Sequence, residues 1–309
     1  MMHDTEPAQR QGTFARIIDG RLIAHKLRAD FRRRVESLRR TQGVVPGLAV
    51  IVVGDNPASA VYVRNKIGAC GEAGIYSLEY RFPATIDTPA LVTRILELNH
   101  NPAIHGVLVQ LPLPPHVEMR EVLESISVEK DVDGFHLYNV GGLVVGNTVF
   151  PPCTPYGVTK LLEHESIGVS GKNVVIVGAS NIVGKPMALM LMQQEATVSV
   201  CHAKTRDLAQ FTILADILIV AAGKPNLIRP EMVKTGAVVI DVGINRLPDG
   251  RISGDVDFDG VARKASYITP VPGGVGPMTV TMLLENTIAA AERSAVHLPS
   301  PSTAGNAAH

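Results

Sequence analysis

The segment Asn173-Val-Val-Ile-Val-Gly-Ala-Ser-Asn-Ile-Val-Gly184 decides how the second half of the chain folds. Its first five residues predict a buried strand, and a helix is expected from about Ile182. Between them, Gly178 and Gly184 bound a turn that exposes backbone N–H groups at a helix N-terminus, where a pyrophosphate can bind. Ser180 stands where the dinucleotide fingerprint has its second glycine, and the closing glycine comes one residue late. The turn fits either a dinucleotide site or a plain strand-to-helix connection.

The sequence around this turn continues the alternation of strand and helix. Three further strands are predicted, at Thr197–Cys201, Asp216–Ala221 and Ala237–Val242. A preceding helix is predicted with Thr154 as its N-cap and Pro155 as its first residue. This rhythm predicts a Rossmann-type dinucleotide-binding domain over residues 154–279.

The first half of the chain shows the same alternation. Asp19-Gly20 opens a predicted helix that stops at Gly43. Strands are predicted at Gly47–Gly54, Tyr76–Phe82 and Ile104–Gln110. Continuous Val, Ile and Leu runs between helices indicate a parallel sheet covered on both faces. The fold class is therefore α/β, with an N-terminal parallel-sheet domain followed by a Rossmann-type domain.

The domain boundaries follow from the last helix, predicted from Pro277 to about Arg293. It follows a Gly/Pro turn and can pack back on the first domain, which we expect to comprise residues 14–153 plus 280–298. Residues 1–13 and 299–309 are expected to be disordered tails. The arginines of the first helix fit a solvated face better than a binding face; they are Arg32, Arg33, Arg34, Arg39 and Arg40.

The composition excludes several classes of function. The 309 residues include 29 basic and 29 acidic side chains, 4% aromatic residues and no Trp. No bulk charge or stacking platform therefore favours nucleic acid as a partner. No apolar run reaches the roughly 18 residues that a membrane span needs. Cys70, Cys153 and Cys201 are far apart and form no metal-binding pattern, so we expect no metal site. We expect the three thiols to be reduced and the protein to be cytoplasmic.

Three polar positions in the first half are candidates for chemistry. Tyr62 and Lys66 are four residues apart and share a helix face, although a packed Tyr beside a solvated Lys is the better explanation of the pair taken alone. Gln110 ends a strand, where ligands bind in open parallel sheets, but it can also satisfy loop backbone. Asp131 and Asp133 offer two carboxylates in a turn, or a local cap of that turn.

The strongest local signal is Pro272-Gly-Gly-Val-Gly-Pro277-Met-Thr279. Three glycines in five residues bring bare backbone close to another group immediately before a helix. This fits a sharp interdomain turn or a ligand contact, and we favour the ligand contact. At the end of the second predicted strand, Cys201 is followed by no acid. Lys204 and Arg206 follow instead, which favours a 2′-phosphate and hence NADP.

Together these segments resemble the bifunctional methylenetetrahydrofolate dehydrogenase/methenyltetrahydrofolate cyclohydrolase family. The resemblance runs from about Ile17 to Arg293. Its motifs occur in the family's order: Tyr62-Val-Arg-Asn-Lys66, Val109-Gln110-Leu-Pro-Leu113, Lys130-Asp-Val-Asp133-Gly134, Pro152-Cys-Thr-Pro155 and the Pro272–Thr279 turn.

The resemblance implies that the N-terminal parallel-sheet domain is catalytic and that a folate site lies in a cleft between the two domains. Lys66 would be the central catalytic residue, Gln110 would set its protonation and position, and Tyr62 would stack on the aminobenzoyl group. Asp133 would accept hydrogen bonds from the pterin. On this resemblance the residues assigned as catalytic are Lys66, Gln110, Tyr62 and Asp133. Tetrahydrofolate derivatives would also contact Val109, Leu111, Pro272, Gly273, Gly274 and Gly276.

The resemblance implies an NADP site in the second domain. Its residues would be Thr154, Gly178, Ala179, Ser180, Ile182, Val183, Ala203, Gly223, Ile244 and Thr279, the last near the nicotinamide. Many family members have Arg at position 179 and Ser at position 203, and both help to hold the 2′-phosphate. The alanines here therefore imply a weaker NADP preference.

The implied activity is oxidation of 5,10-methylenetetrahydrofolate with NADP⁺, then hydrolysis to 10-formyltetrahydrofolate, by a cytoplasmic homodimer. One alternative is a two-domain dehydrogenase of the shikimate or amino-acid type, which would not explain Lys66, Gln110 and the Pro272–Thr279 turn together. Another is a non-catalytic dinucleotide sensor, against which the retention of Lys66, Gln110 and Asp133 speaks.

Overall fold

The structure is a computed structural model that describes residues 14–296. The expected disordered tails, residues 1–13 and 299–309, lie outside the described residues. The first half contains, in order, β1 (Arg16–Ile17), α1 (Gly20–Gln42), β2 (Gly47–Val53), α2 (Pro57–Ala73), β3 (Tyr76–Phe82), α3 (Thr88–His100), β4 (Gly106–Val109), α4 (Met119–Glu124) and α5 (Leu137–Val145). The second half contains α6 (Cys153–His164), β5 (Asn173–Val177), α7 (Gly184–Met192), β6 (Thr197–Cys201), α8 (Leu208–Thr212), β7 (Ile217–Val220), β8 (Val238–Asp241), β9 (Asn245–Arg246), β10 (Ile252–Ser253), α9 (Phe258–Ala262), β11 (Tyr267–Ile268) and α10 (Val275–Val296).

Helix α1 shows how local sequence sets an element's ends. The Asp19 carboxylate accepts hydrogen bonds from the backbone N–H groups of Arg21 at 2.9 Å and Leu22 at 3.0 Å, which caps the helix. Gly43 ends it in the left-handed conformation with φ 70°, and its N–H donates to the Arg39 carbonyl.

The arginine-rich face of α1 is solvated except at Arg34, whose guanidinium binds two carboxylates of α10. It donates to Glu285 at 2.7 Å and to Glu292 at 2.6 Å. Arg34 therefore joins the first helix to the last one.

The first sheet has three parallel strands in the order β3-β2-β4. Every residue of β2 is buried, as expected for a central strand with helices on both faces. Ile51 of β2 pairs with Val109 of β4, so Gln110 emerges at the carboxyl edge of this sheet.

The second sheet has six parallel strands in the order β1-β11-β8-β7-β5-β6. Val177 pairs with Cys201 on one side and with Val220 on the other, so the loops after β5, β6 and β7 leave the same edge. The mixed α/β class with parallel sheets and a Rossmann-type second half is confirmed. The domain boundaries stay a prediction; β1, expected with the first domain, pairs with β11 in the second sheet.

Helix α10 holds the two halves together. It packs against α1, α2 and α6, and its buried side chains share one continuous apolar core with both sheets. Core residues such as Val50 of β2, Ile176 of β5 and Met282 of α10 belong to this single cluster. Burial of this shared apolar surface stabilises the placement of one sheet relative to the other.

The structure differs from the expected elements at several ends. Helix α6 begins at Cys153 with Pro152 as its N-cap, so the prediction that Thr154 is the N-cap was wrong. The Thr154 hydroxyl instead lies 3.0 Å from that of Thr279. Helix α10 begins at Val275, two residues before the expected Pro277. Eight short elements were not predicted. The missed helices have five to nine residues, which is too few turns for a clear helical period, and the missed strands have two residues each; they are α4, α5, α8, α9, β1, β9, β10 and β11.

Among residues 14–296, no helix is long and apolar enough to cross a membrane. In the same region, no three His, Cys, Asp or Glu side chains are grouped as a metal site would need.

Candidate functional site

Lys66 of α2 and Gln110 at the end of β4 form a direct pair. The Lys66 Nζ donates to the Gln110 Oε1 at 3.0 Å, and the Gln110 Nε2 donates to the Leu111 carbonyl at 2.7 Å. The Gln110 backbone N–H continues the sheet by donating to the Ile51 carbonyl at 2.8 Å. The amide therefore does both things that its position suggested: it satisfies loop backbone, and it fixes an acceptor towards the lysine.

Tyr62 lies one helical turn before Lys66 and is half-buried. Burial raises the pKa of its phenol above the ordinary value. The side chain is therefore a neutral aromatic group near pH 7, which suits packing against a flat ligand better than proton exchange.

The two carboxylates of the Asp131–Asp133 turn have different roles. Asp131 is buried and accepts hydrogen bonds from the backbone N–H of His136 at 2.8 Å and from the Asn139 Nδ2 at 2.7 Å. Those bonds make it the local cap. Asp133 is not needed for that cap, and its electrostatic surroundings include Lys66.

Burial raises the pKa of the Asp133 carboxyl, and the nearby Lys66 ammonium acts in the opposite direction. Asp131 raises this pKa further, and a hydrogen bond with Cys153 lowers it. Lys66, Gln110 and Asp133 thus form one cluster of a cation, an amide and a carboxyl group that can bind and exchange protons.

The Asp133 turn is attached to the last helix through Asn286. The Asn286 Nδ2 donates to the Val132 carbonyl at 2.8 Å and to the Pro151 carbonyl at 3.0 Å. The Cys153 thiol also donates to the Val132 carbonyl, at 3.2 Å. The position of Asp133 is thereby set by α10 and α6, far away in sequence.

The turn that begins at Pro272 has a clear packing role. A Cβ on Gly20 would lie 1.8 Å from the Gly274 carbonyl oxygen, so the N-terminus of α1 sits directly on this turn. Gly273 has φ 117°, which L side chains rarely adopt. Gly276 is different: a Cβ there would have Ile244 at 3.9 Å as its nearest neighbour, so this glycine borders open space.

The Gly178–Gly184 turn is shaped by close backbone contacts. A Cβ on Gly178 would lie 2.1 Å from the Ala221 carbonyl oxygen, and one on Gly184 would lie 1.8 Å from that of Gly178. The Ser180 hydroxyl accepts from the Val183 N–H at 3.1 Å and the Gly184 N–H at 3.4 Å. Ser180 therefore occupies the missing glycine's place as a cap of the turn, while Ser180 and Ile182 remain exposed.

The segment after β6 lies against this turn. The Gly178 N–H donates to the Cys201 carbonyl at 2.9 Å, and Ala203, Lys204 and Arg206 that follow are exposed. Two exposed cations beside a glycine turn at the carboxyl edge of a parallel sheet suit a phosphorylated nucleotide. On this geometry the second half fits NADP.

The remaining predicted contact residues are distributed along the two carboxyl edges. Gly223 and Ile244 are exposed at the edge of the second sheet, and Thr154 and Thr279 are paired between the halves. Val109 is buried in the core of the first sheet, so only its backbone is available to a ligand. The individual ligand contacts stay predictions.

Sequence reasoning missed Asp241 and Asp255, two buried aspartates near the second edge. Their signal was the placing of glycines beside acids, in Asp241-Val-Gly243 and Gly254-Asp255. A Cβ on Gly254 would lie 1.9 Å from the Asp241 Oδ2.

A cavity of about 810 Å³ lies elsewhere, between α5, α6 and α7. It is lined by residues such as Leu143, Tyr156 and Gln193 and includes none of the predicted site residues.

The chain has two α/β halves. One carries a lysine, an amide and a carboxyl group that can exchange protons, and the other carries a glycine turn suited to a phosphorylated nucleotide. These features define a nucleotide-dependent enzyme that acts on a small-molecule substrate. Family models identify both halves. Residues 18–133 match the catalytic domain of tetrahydrofolate dehydrogenase/cyclohydrolase, and residues 152–295 match the NAD(P)-binding domain of the same enzyme.

Relatives agree along nearly the whole chain. The bifunctional protein FolD of Nitrosospira multiformis is 62% identical over 284 residues, which is 92% of this chain and 98% of the relative. The FolD of Bordetella petrii is 59% identical over 281 residues, 91% of this chain and 95% of the relative.

Solved structures agree as well. The bifunctional FolD of Campylobacter jejuni has a TM-score of 0.88 at 54% identity, covering 90% of this chain and 99% of its own. The Trypanosoma brucei enzyme, complexed with NADP cofactor and inhibitor, has a TM-score of 0.89 at 40% identity, covering 93% of this chain and 100% of its own.

The chain belongs to the tetrahydrofolate dehydrogenase/cyclohydrolase family. The family resemblance, the enzyme class and the expectation of a nicotinamide cofactor are confirmed.

Proposed function

We propose that this protein oxidises 5,10-methylenetetrahydrofolate with NADP⁺ and hydrolyses the resulting methenyl compound to 10-formyltetrahydrofolate. The observation that carries the proposal is the Lys66–Gln110–Asp133 cluster at the carboxyl edge of the first sheet, in a member of this family. NADP⁺, when bound, accepts the hydride. The protein's own residues bind and orient the folate and move protons.

Lys66 is the proton-transferring residue of the proposed hydrolysis. Its Nζ donates a hydrogen bond to Gln110, and its charge interacts with the Asp133 carboxyl group. Attack of water on the methenyl carbon and opening of the ring both need a proton acceptor and a proton donor. The cluster supplies a candidate for each role.

Asp133 and Tyr62 orient the folate in this proposal. An ionised carboxylate has two acceptor oxygens and suits the donor edge of a pterin. The Lys66 ammonium favours that ionised form against the effect of burial. Tyr62, neutral and half-buried, would provide a flat surface for the aminobenzoyl group, and the expected folate contacts Leu111, Pro272 and Gly276 are partly or fully exposed.

The nucleotide is proposed to lie across the carboxyl edge of the second sheet. The turn from Gly178 to Val183 would receive the pyrophosphate, and Ala203 with the neighbouring Lys204 and Arg206 would face the adenosine 2′-phosphate. The Thr154–Thr279 hydroxyl pair joins α6 and α10 where the two halves meet, and would lie near the reacting end of the cofactor.

A substitution at Lys66 tests the proposal. Purified protein is supplied with methylenetetrahydrofolate and either NADP⁺ or NAD⁺, and separately with the methenyl compound and no nucleotide. Lys66→Met keeps most of the side-chain length but carries no proton, so hydrolysis should be abolished while NADP⁺ affinity and thermal stability stay near the parent's. Lys26→Met, on the exposed surface of α1, is the matched control. Near-normal hydrolysis by folded Lys66→Met would refute the role, and an inactive parent protein would refute the function.

We also propose that the protein is a homodimer associated through the β6 edge of the second sheet. Edge strands with unpaired backbone groups and exposed apolar side chains favour pairing with another chain. Val200 of β6 and Phe211 of α8 are 39% and 42% exposed there. Val200→Lys should shift the protein to monomers in sedimentation experiments, and an unchanged dimer would exclude this edge.

The cytoplasm is the proposed location, because all three cysteines are buried free thiols. Burial raises the pKa of the Cys70 thiol to about 12, so it resists oxidation. Cell fractionation with an antibody tests the location, and recovery outside the cytoplasmic fraction would refute it.

A further inference from the structure

Asp255 is a fully buried carboxylate that binds four N–H donors. Its Oδ2 accepts from the backbone N–H of Ala222 at 2.6 Å and of Gly223 at 2.8 Å. Its Oδ1 accepts from the Lys224 N–H at 2.8 Å and from the Asn245 Nδ2 at 2.7 Å. Three consecutive backbone N–H groups converging on one anion form a nest, and here the protein's own side chain fills it.

Asp241, at the end of β8, holds Asp255 in place. Its Oδ1 accepts from the N–H groups of Asp255 at 3.0 Å and Gly243 at 2.9 Å, and its Oδ2 accepts from the Val256 N–H at 3.0 Å. A Cβ on Gly243 would lie 2.3 Å from the Asp255 carboxyl carbon. The two carboxylates and their glycines therefore form one rigid, closely packed unit.

This unit controls two segments at the carboxyl edge of the second sheet. Ala222–Lys224 follows β7, and the Ala221 carbonyl before it contacts Gly178 of the glycine turn. Ile244 lies between Gly243 and Asn245, which are bound by the two carboxylates, and is 47% exposed. Ile244 also faces Gly276 of the turn between the halves.

We infer that Asp255 is a positioning residue for the dehydrogenase reaction, holding Ala222–Lys224 and Ile244 where they receive the end of NADP⁺ that meets the folate. The inference rests on the proposed function and on the expectation, given by the family resemblance, that Gly223 and Ile244 contact the cofactor. Because all three N–H groups of the turn are used by Asp255, the turn gives the nucleotide a shaped surface and not a phosphate-binding site. Hydrolysis of the methenyl compound uses no nucleotide and does not depend on this unit.

Asp255→Asn is the test, with Asp257→Asn as the matched control. Asparagine places an amide N–H₂ group where the Asp255 carboxylate accepts from the N–H groups of residues 222–224. Because two donors cannot bond to each other, the Ala222–Lys224 turn must move. Asp257 is two residues away and caps α9 through Gly260, a position that asparagine also fills well. NADP⁺ dissociation constants are measured by calorimetry, and hydrogen exchange of residues 222–224 is measured in the protein without nucleotide.

Asp255→Asn is expected to raise the dissociation constant of NADP⁺ about 10- to 100-fold, which is the size of effect expected when a hydrogen bond to a charged group is lost. Exchange at residues 222–224 should accelerate, and hydrolysis of supplied methenyltetrahydrofolate should stay within about twofold of the parent rate. Asp257→Asn should change none of these. If Asp255→Asn does not fold, Asn245→Ala removes one donor only and should raise the constant in the same direction.

Parallel loss of hydrolysis and nucleotide affinity would overturn the inference, because Asp255 would then be a general structural residue. Faster exchange with unchanged affinity would also overturn it, because the turn would not receive the nucleotide. Failure of the proposed function looks different: the parent protein would bind NADP⁺ without oxidising the folate, and the affinity comparison between variants would still be decisive.

Discussion

Replacing Gln110 with leucine removes the acceptor that holds the Lys66 ammonium and keeps nearly the same side-chain volume. In the structure the Gln110 Oε1 accepts from the Lys66 Nζ at 3.0 Å, and its Nε2 donates to the Leu111 carbonyl at 2.7 Å. Leucine makes neither bond, so the Lys66 ammonium loses this hydrogen bond and keeps its electrostatic attraction to the Asp133 carboxyl group. The amine then samples positions from which it cannot reach the reacting atoms.

The expected loss follows from the type of bond removed. A hydrogen bond to a charged group contributes about 1.5–3 kcal/mol, and about 1.4 kcal/mol corresponds to a factor of ten in rate. Hydrolysis of methenyltetrahydrofolate by Gln110→Leu should therefore fall about 10- to 150-fold in kcat. The dissociation constant of NADP⁺ should not change, because the pair lies on the first sheet and the nucleotide turn on the second.

The assay is the loss of methenyl absorbance without nucleotide, measured over a range of pH, together with calorimetric NADP⁺ binding. Gln110→Glu is the matched control, since it keeps an acceptor for Lys66, and its loss should be smaller than that of Gln110→Leu. A Gln110→Leu protein with normal melting temperature and hydrolysis within threefold of the parent would refute the reasoning. Gln110 would then only satisfy the backbone of its loop.

Three further outcomes are expected. Asp133→Ala should raise the dissociation constant of the folate about 5- to 150-fold by leaving pterin donors unpaired, with NADP⁺ affinity unchanged; a parallel loss of NADP⁺ affinity would make Asp133 a structural residue. Ala179→Arg should raise the ratio of kcat/KM for NADP⁺ over NAD⁺ about tenfold, and high salt should lower the parent's ratio because exposed cations such as Lys204 are screened; a parent preference for NAD⁺ would contradict this. Burial raises the pKa of Asp241 to about 6 from 3.8, so the folded protein keeps a proton that the unfolded chain loses. Stability from this group is present below about pH 4 and lost as pH rises to about 6, on the order of 3 kcal/mol; urea unfolding of Asp241→Asn should lack this part of the slope, and an unchanged slope would refute it.

The candidate site was only partly readable from the chain. Lys66, Gln110 and Asp133 were each ambiguous alone, because a lysine, an amide or an acid in a loop is common in any α/β protein. The order of the motifs along the chain identified the family, and the family in turn pointed to these three residues. Which of Asp131 and Asp133 caps the turn was not readable, since it depends on Asn139 and on the helix that brings this amide back to Asp131.

Local sequence was sufficient to predict the α/β class, the long helices and central strands, and the family. These depend on local periodicity, on caps such as Asp19 and Gly43, and on short motifs whose residues are neighbours in the chain. Three features became visible only in the folded chain: β1 joins the second sheet, Arg34 binds α10, and Asn286 holds the Asp133 turn. The folded chain also shows that Asp241 and Asp255 form one unit beneath the cofactor edge. The physical reason is the same in each case: these partners are separated by 14 to more than 250 residues, and only packing of the shared core brings their polar groups within hydrogen-bond distance.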